Sequence, residues 1–189
     1  MSADPRKELT QGDALLVVDV QNDFCPDGAL PVPRGDEVVP VLNDWVAAAR
    51  EAGAQVYASR DWHPRDHISF ESQGGPWPVH CVQDTEGAAF HRDLKLPDDV
   101  IVVTKGTRFD QDQYSAFDQT GFAEELKRKG IGRVWIGGLA EDVCVRATAL
   151  DARKQGFDVH VVLDATRAIT DESKRSTEDE LKEAGVSLV

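Results

Sequence analysis

Short apolar runs and helix-period segments alternate along this chain from end to end, and that alternation limits its fold more than any other feature. Ala14 to Val20, Gln55 to Ser59, Val100 to Thr104, Val134 to Gly137 and Val159 to Leu163 read as strands, and a short last strand ends at Val189. Runs this apolar belong to strands covered on both faces. Between them, Val38, Val41, Leu42, Trp45, Val46 and Ala49 recur at helical spacing before Gly53. Further helices are expected around Gly121 to Lys129, Asp142 to Gln155 and Glu172 to Ala184, each followed closely by a glycine. Strands alternating with helices predict a parallel α/β fold.

At 189 residues and 41% hydrophobic content, the chain has enough material for one domain spanning residues 1 to 189. Cys25, Cys81 and Cys144 are an odd number of cysteines without zinc-ribbon or secreted-scaffold spacing, which indicates a reducing compartment. No apolar run reaches membrane-spanning length, and MSADPRKELTQGD has no signal-peptide core, so a cytoplasmic location is expected. A net charge of −13 argues against nucleic acid or an anionic membrane as partner. A small-molecule substrate fits better, and assembly with copies of itself stays open.

One segment breaks the alternation. Residues 60 to 97 are rich in Pro, Gly and His and show neither strand nor helix period. Loops of that length in compact domains are functional or disordered, and the aromatics here argue for order. Four of the five histidines, His63, His67, His80 and His91, fall in it, so it reads as a site-forming excursion.

Three chemically pointed residues sit at strand ends. Asp19 interrupts LLVVDV, where a carboxylate costs several kcal/mol unless paired. Lys105 follows VIVVT, and Cys144 lies in RVWIGGLAEDVCVRATA, where Gly137 and Gly138 permit a sharp turn. Val143, Ala147 and Leu150 put Cys144 in the first turn of a helix, whose free N–H groups favour a thiolate. Ligands of parallel sheets bind beyond the carboxyl ends of the strands, so the three can meet in one crevice, with Asp19 taking the thiol proton and Lys105 supporting the thiolate. Taken singly, each has a plainer reading: a turn cap, a solvated loop lysine, a small buried hydrophobe.

Within the excursion, DWHPRDH and WPVH offer Asp61, His63 and His80, a set suited to a divalent transition metal: zinc, iron or manganese. His67 is an optional further ligand. Surface histidines and a capping aspartate are the alternative. Phe24 and Trp77 serve either as core aromatics or as walls of a flat pocket.

Together these segments resemble the nicotinamidase (pyrazinamidase) branch of the isochorismatase-like cysteine hydrolases. The residues that carry the resemblance are VVDVQNDFCPDGAL, DWHP with the later PWPVHC, VVTKGT and GGLAEDVCVRATALDA, within roughly residues 14 to 168. The fold it implies is a three-layer, doubly wound, mostly parallel six-stranded sheet with helices on both faces. It implies Asp19, Lys105 and Cys144 as catalytic triad, Asp61, His63 and His80 as ligands of one divalent metal ion, zinc first, and Phe24, Trp77 and Tyr114 as substrate walls. In that family the peptide corresponding to Leu139–Ala140 is cis, bringing Leu139 to the substrate and making the N–H groups of Ala140 and Cys144 an oxyanion hole. The implied reaction is nicotinamide to nicotinate and ammonia through a cysteine thioester, in NAD salvage. The alternatives are a related hydrolase of carbamoyl or ureido amides, whose members generally lack the metal trio, and a non-catalytic flavodoxin-like binding module. Residues 1 to 13 fall outside the resemblance.

Overall fold

Parallel strands cannot be joined by tight turns, so every apolar run must be followed by a crossover that covers the sheet. A computed structural model, described here for residues 3–189, has that form. The elements in chain order are α1 (Pro5–Glu8), β1 (Asp13–Val18), α2 (Val38–Ala52), β2 (Gln55–Asp61), β3 (Ile101–Lys105), α3 (Phe122–Arg128), β4 (Arg133–Leu139), α4 (Arg146–Lys154), β5 (Asp158–Arg167), α5 (Asp171–Glu183) and β6 (Ser187–Leu188). The six strands stand in the order β3-β2-β1-β4-β5-β6, all parallel. Winding runs outward from β1 to β3 and then returns to the other side at β4. The crevice between β1 and β4 is therefore the topological switch point, where parallel sheets bind ligands.

Alternation along β1 splits the core into two layers. Leu15 and Val17 face α2, meeting Leu42, Trp45, Val46 and Ala49. Leu16 and Val18 face the other way, toward Leu126 of α3, Ala149 of α4 and Leu181 of α5. Each such side chain contributes about 1.5–3 kcal/mol on burial, which explains why the strands carry no polar alternation. None of the helices among the described residues is long and apolar enough to cross a membrane.

β5 runs on to Arg167, past the expected Leu163, and three further differences from the sequence expectation have plain physical reasons. β1 stops at Val18, and Asp19 stands outside it with φ +48°, a left-handed conformation that Asp tolerates better than most residues. Gly137 and Gly138 do not turn; they stay in β4, and a side chain at Gly138 would strike the backbone of Val18. Their role is close strand approach, and the chain turns only after the cis Leu139–Ala140 peptide. Beyond it, residues Glu141–Val145 form a π-helical turn rather than the first turn of an α-helix. That turn closes on Ala140, whose carbonyl accepts from the N–H groups of both Val143 and Val145 at 3.1 Å.

Residues 62–100, between β2 and β3, hold one 3₁₀ turn, Glu71–Gln73, and are pinned by isolated bridges pairing Gln21 with Phe90, His63 with Val82 and Phe70 with Trp77. They are ordered by side chains and bridges in place of a helix.

Candidate functional site

The register delivers the charges to one point. β2 and β3 pair Asp61 with Lys105 at their carboxyl ends, while Val18, just before Asp19, pairs with Ser59 on one side and Gly138 on the other. The Lys105 Nζ lies 2.5 Å from Asp61 Oδ1, 2.7 Å from Asp19 Oδ2 and 3.5 Å from Cys144 Sγ. Asp19 and Lys105 are buried, and only a sliver of Cys144 reaches the surface.

One ammonium cannot neutralise two carboxylates, and the cluster resolves this unequally. Burial alone raises the pKa of Asp61, but the Lys105 charge and hydrogen bonds hold it below the usual carboxylate range. Asp19 goes the other way: burial pushes its pKa up, more than Lys105 pulls it down, and the charge of Asp61 adds to the rise. Its Oδ1 accepts from the Ser59 hydroxyl at 2.7 Å, whereas Oδ2 receives no well-aligned hydrogen bond, Lys105 meeting it as an ion pair only. Asp19 is thus the carboxylate of the cluster whose protonated form is favoured. The Cys144 thiol, expected to be acidic, is pushed up by burial, with the Asp19 and Asp61 charges adding and Lys105 opposing. That direction favours the thiol over the thiolate, with carboxylate oxygens of Asp19 and Asp61 within 4.8 Å of the sulfur.

Beside this cluster, Asp61 Oδ2 faces His63 Nε2 at 3.6 Å and His80 Nε2 at 4.0 Å. The other nitrogens of both rings are anchored, His63 Nδ1 on the Gly106 carbonyl at 2.9 Å and His80 Nδ1 on the Pro78 carbonyl at 2.8 Å. Each anchor places an N–H on Nδ1 and aims Nε2 at the same carboxylate oxygen, the orientation metal-ligating histidines use. The trio therefore fits a divalent metal ion. His67 is placed differently: Nδ1 contacts Ser69 Oγ at 2.6 Å and Nε2 the Gln111 carbonyl at 3.0 Å, so both nitrogens are engaged. It stacks on His63 with ring centroids 4.1 Å apart and acts as support.

These groups open onto a cavity lined by Phe24, Trp77, Tyr114, Asp61, His80, Ala140 and Cys144. The Trp77 Nε1–H donates to the Tyr114 hydroxyl at 3.0 Å, setting the two rings edge to face. Phe24 is both wall and core, and a tilted contact joins it to His80. Leu139, expected against a substrate, is instead fully buried and packs into the α2 layer; Ala140 takes its place on the wall.

Several contributors were not foreseen from the sequence. Gln21 is buried and mimics a peptide, its Nε2 donating to the Asp61 and Ala88 carbonyls and its Oε1 accepting from the Asp61 N–H, each at 2.8 Å. The Gln113 side chain accepts from the Gly106 N–H at 2.9 Å, and its backbone carbonyl accepts from Lys105 Nζ at 3.4 Å. Asp112, Val143 and Ile169 also line the cavity. Only Gln21 carried a usable signal, a polar side chain two residues beyond Asp19 in an apolar neighbourhood.

Residues 13–189 match the family model for the isochorismatase domain. A nicotinamidase of Acinetobacter baylyi is 39% identical over 186 residues, covering 87% of this chain and 85% of its own. A pyrazinamidase of Pyrococcus horikoshii, solved in complex with zinc, superposes with a TM-score of 0.92 at 47% identity, over 94% of this chain and 98% of its own. PnC1 from L. infantum, solved in complex with nicotinate, gives a TM-score of 0.87 at 38% identity, over 100% of this chain and 95% of its own. A fold, a motif set and a matched length that agree this closely have one explanation: the chain belongs to the isochorismatase family.

Proposed function

We propose that this chain is an amidohydrolase that converts nicotinamide to nicotinate and ammonia, in NAD salvage, with Asp19, Lys105 and Cys144 as its catalytic triad. The observation that carries the reading is the shared Lys105 ammonium, 2.7 Å from Asp19 and 3.5 Å from the sulfur of Cys144, which itself lines an aromatic-walled cavity. The cavity lined by the rings of Phe24, Trp77 and Tyr114 suits a pyridine ring, and the relatives' nicotinamidase name and bound nicotinate support the same substrate.

Substrate binding between the aromatic walls fixes the carboxamide carbon over Cys144 and removes most of its translational freedom. Asp19 accepts the Cys144 proton as the sulfur forms its bond to the carbonyl carbon. Lys105 supports the developing thiolate and keeps Asp61 ionised. The negative charge moves to the carbonyl oxygen, which accepts from the N–H groups of Ala140 and Cys144, each worth roughly 3 kcal/mol in comparable sites. Asp19 passes its proton to the amide nitrogen, the C–N bond breaks and ammonia leaves. In the second half, Asp19 takes a proton from water and the hydroxyl adds to the thioester. Collapse frees the acid, and Asp19 returns the proton to the sulfur.

Asp61, His63 and His80 would hold the metal, and we assign zinc first because a carboxylate and two imidazoles suit it with a position left open, and because the Pyrococcus relative was solved in complex with zinc. When bound there, the ion supplies a Lewis-acidic anchor for the aromatic ring nitrogen.

Incubating purified protein with nicotinamide and measuring ammonia tests the reading, with an N-carbamoyl amine as the competing substrate. Turnover of nicotinamide, lost on chelation and at least about 10³-fold lower in Cys144→Ala, is the expected result. Preference for the carbamoyl compound, indifferent to chelator, would replace it with the carbamoyl reading. Elemental analysis of the same protein identifies the metal.

A further inference from the structure

The connection from β5 to α5 is only three residues long, Ala168 to Thr170, and its middle residue, Ile169, lines the cavity while remaining 38% exposed. An exposed isoleucine on a short loop is ordinarily free to swing, yet this one has its own N–H held and its neighbours tied on both sides. Its N–H is directed at both carboxylate oxygens of Asp142, at 3.1 and 3.2 Å. Asp142 also accepts from Ser173 Oγ at 2.5 Å, and Ser173 forms a reciprocal capping box with Thr170 at the start of α5. On the strand side, Arg167 pairs with Glu37 at 3.1 Å. Asp142 belongs to the π-helical turn that carries Cys144, and its neighbour Val143 lines the cavity too. The turn that presents the sulfur therefore also sets the height of the Ile169 wall above it.

We propose that Ile169 is a specificity-determining residue that closes the cavity against substituted rings, and that Asp142 is the residue that positions it. The substrate class admitted is a flat six-membered heteroaromatic carboxamide unsubstituted on the edge that meets Ile169. This rests on the nicotinamide reading of the same cavity. The β-branched side chain adds to the effect, because its χ1 is restricted once the backbone is fixed. Excluding one methyl group by such a wall is worth about 10-fold or more in relative rate.

The test compares kcat/KM for nicotinamide with that for nicotinamides methylated in turn at each open ring carbon, in the wild-type protein and in Ile169→Ala. The expected result is a rise of about 10-fold in the methylated-to-unmethylated ratio for at least one isomer. Asp142→Ala should move the same ratio in the same direction, and Asp142→Asn, which keeps an acceptor for the Ile169 N–H, should move it less. A purely structural role would lower both rates together and leave the ratio alone. Ratios within about twofold of wild type for every isomer in Ile169→Ala overturn the inference while nicotinamide turnover stands. A wild-type protein that releases no ammonia from nicotinamide overturns the substrate reading, and this inference with it.

Discussion

Strand β1 carries a buried aspartate at each end, and the two are treated in opposite ways. Asp13, at the start, accepts from Arg133 at 2.9 and 2.7 Å through a two-pronged contact, from the Thr10 N–H at 2.8 Å and from Trp135 Nε1 at 3.3 Å. Asp19, just past the other end, has one hydroxyl donor and a lysine shared with Asp61. Burial raises the pKa of both, but the saturated contacts of Asp13 win and hold it below the usual value, while at Asp19 burial wins. A carboxylate held by four donors, a guanidinium among them, stays ionised and ties elements together. One left short of donors, just past the end of the same strand, favours its protonated form.

Substituting each aspartate by asparagine should separate the two roles cleanly. Asp19→Asn removes the proton acceptor and should lower kcat by about 10³–10⁴-fold, with a folded protein by circular dichroism. Asp13→Asn should leave kcat for nicotinamide nearly intact but cost about 2–3 kcal/mol of stability in urea unfolding, below the full value for a buried pair because Arg133 is partly solvated. Because the pKa of Asp13 is lowered on folding, that stability is present above the unfolded value of about 3.9 and lost as pH falls through the folded one. Equal losses of activity in the two variants would mean that hydrogen-bond saturation does not distinguish them.

The two ends were not equally legible in the sequence. Asp19, Lys105 and Cys144 stood out because each interrupts or ends an apolar run, and the order of the six strands and of α2 to α5 was visible from hydrophobic period, though the short α1 was not. Asp13 was invisible: beside Gly12 it looks like a turn residue, and its partner Arg133 is 120 positions away. The π-helical turn was hidden because Val143, Ala147 and Leu150 satisfy an α-helical spacing whether or not the first turn is wider. Gly137 and Gly138 read as a turn because a sequence does not say which neighbouring strand needs room. The excursion showed its composition but not its path, since its contacts run from side chains such as Gln21 to backbone groups 40 and 67 residues distant.

A third acid sharpens the contrast. Glu141, in the π-helical turn, is fully buried, and neither carboxylate oxygen has a hydrogen-bond partner. Burial raises its pKa to about 7, with Lys174 and Arg167 opposing and Glu178 and Asp142 adding. The folded chain then keeps a proton that the unfolded chain loses near pH 4.5, so stability falls as pH rises from about 4.5 to about 7 and levels off above. Glu141→Gln should flatten that fall, gaining about 2–3 kcal/mol at pH 8 relative to wild type in urea unfolding. No change in the pH slope would show that the Glu141 carboxylate finds a donor in solution.

The smallest effect tests the distinction most directly, because it removes a single donor from Asp19. The Ser59 hydroxyl donates to Asp19 Oδ1 at 2.7 Å from a position with no solvent access. A donated hydrogen bond favours the ionised form, so in Ser59→Ala the pKa of Asp19 should rise further and the acid limb of kcat/KM should move to higher pH. Loss of one neutral donor to a buried carboxylate is worth about 1.5–3 kcal/mol at most, and the charge of Lys105 remains, so about a 10-fold drop in kcat/KM near neutral pH is expected. Ser59→Thr restores the hydroxyl and should restore the acid limb, provided its extra methyl is accepted beside Val18. A drop in Ser59→Ala without movement of the acid limb would assign the hydroxyl to packing, and Asp19 would then owe its basicity to burial alone.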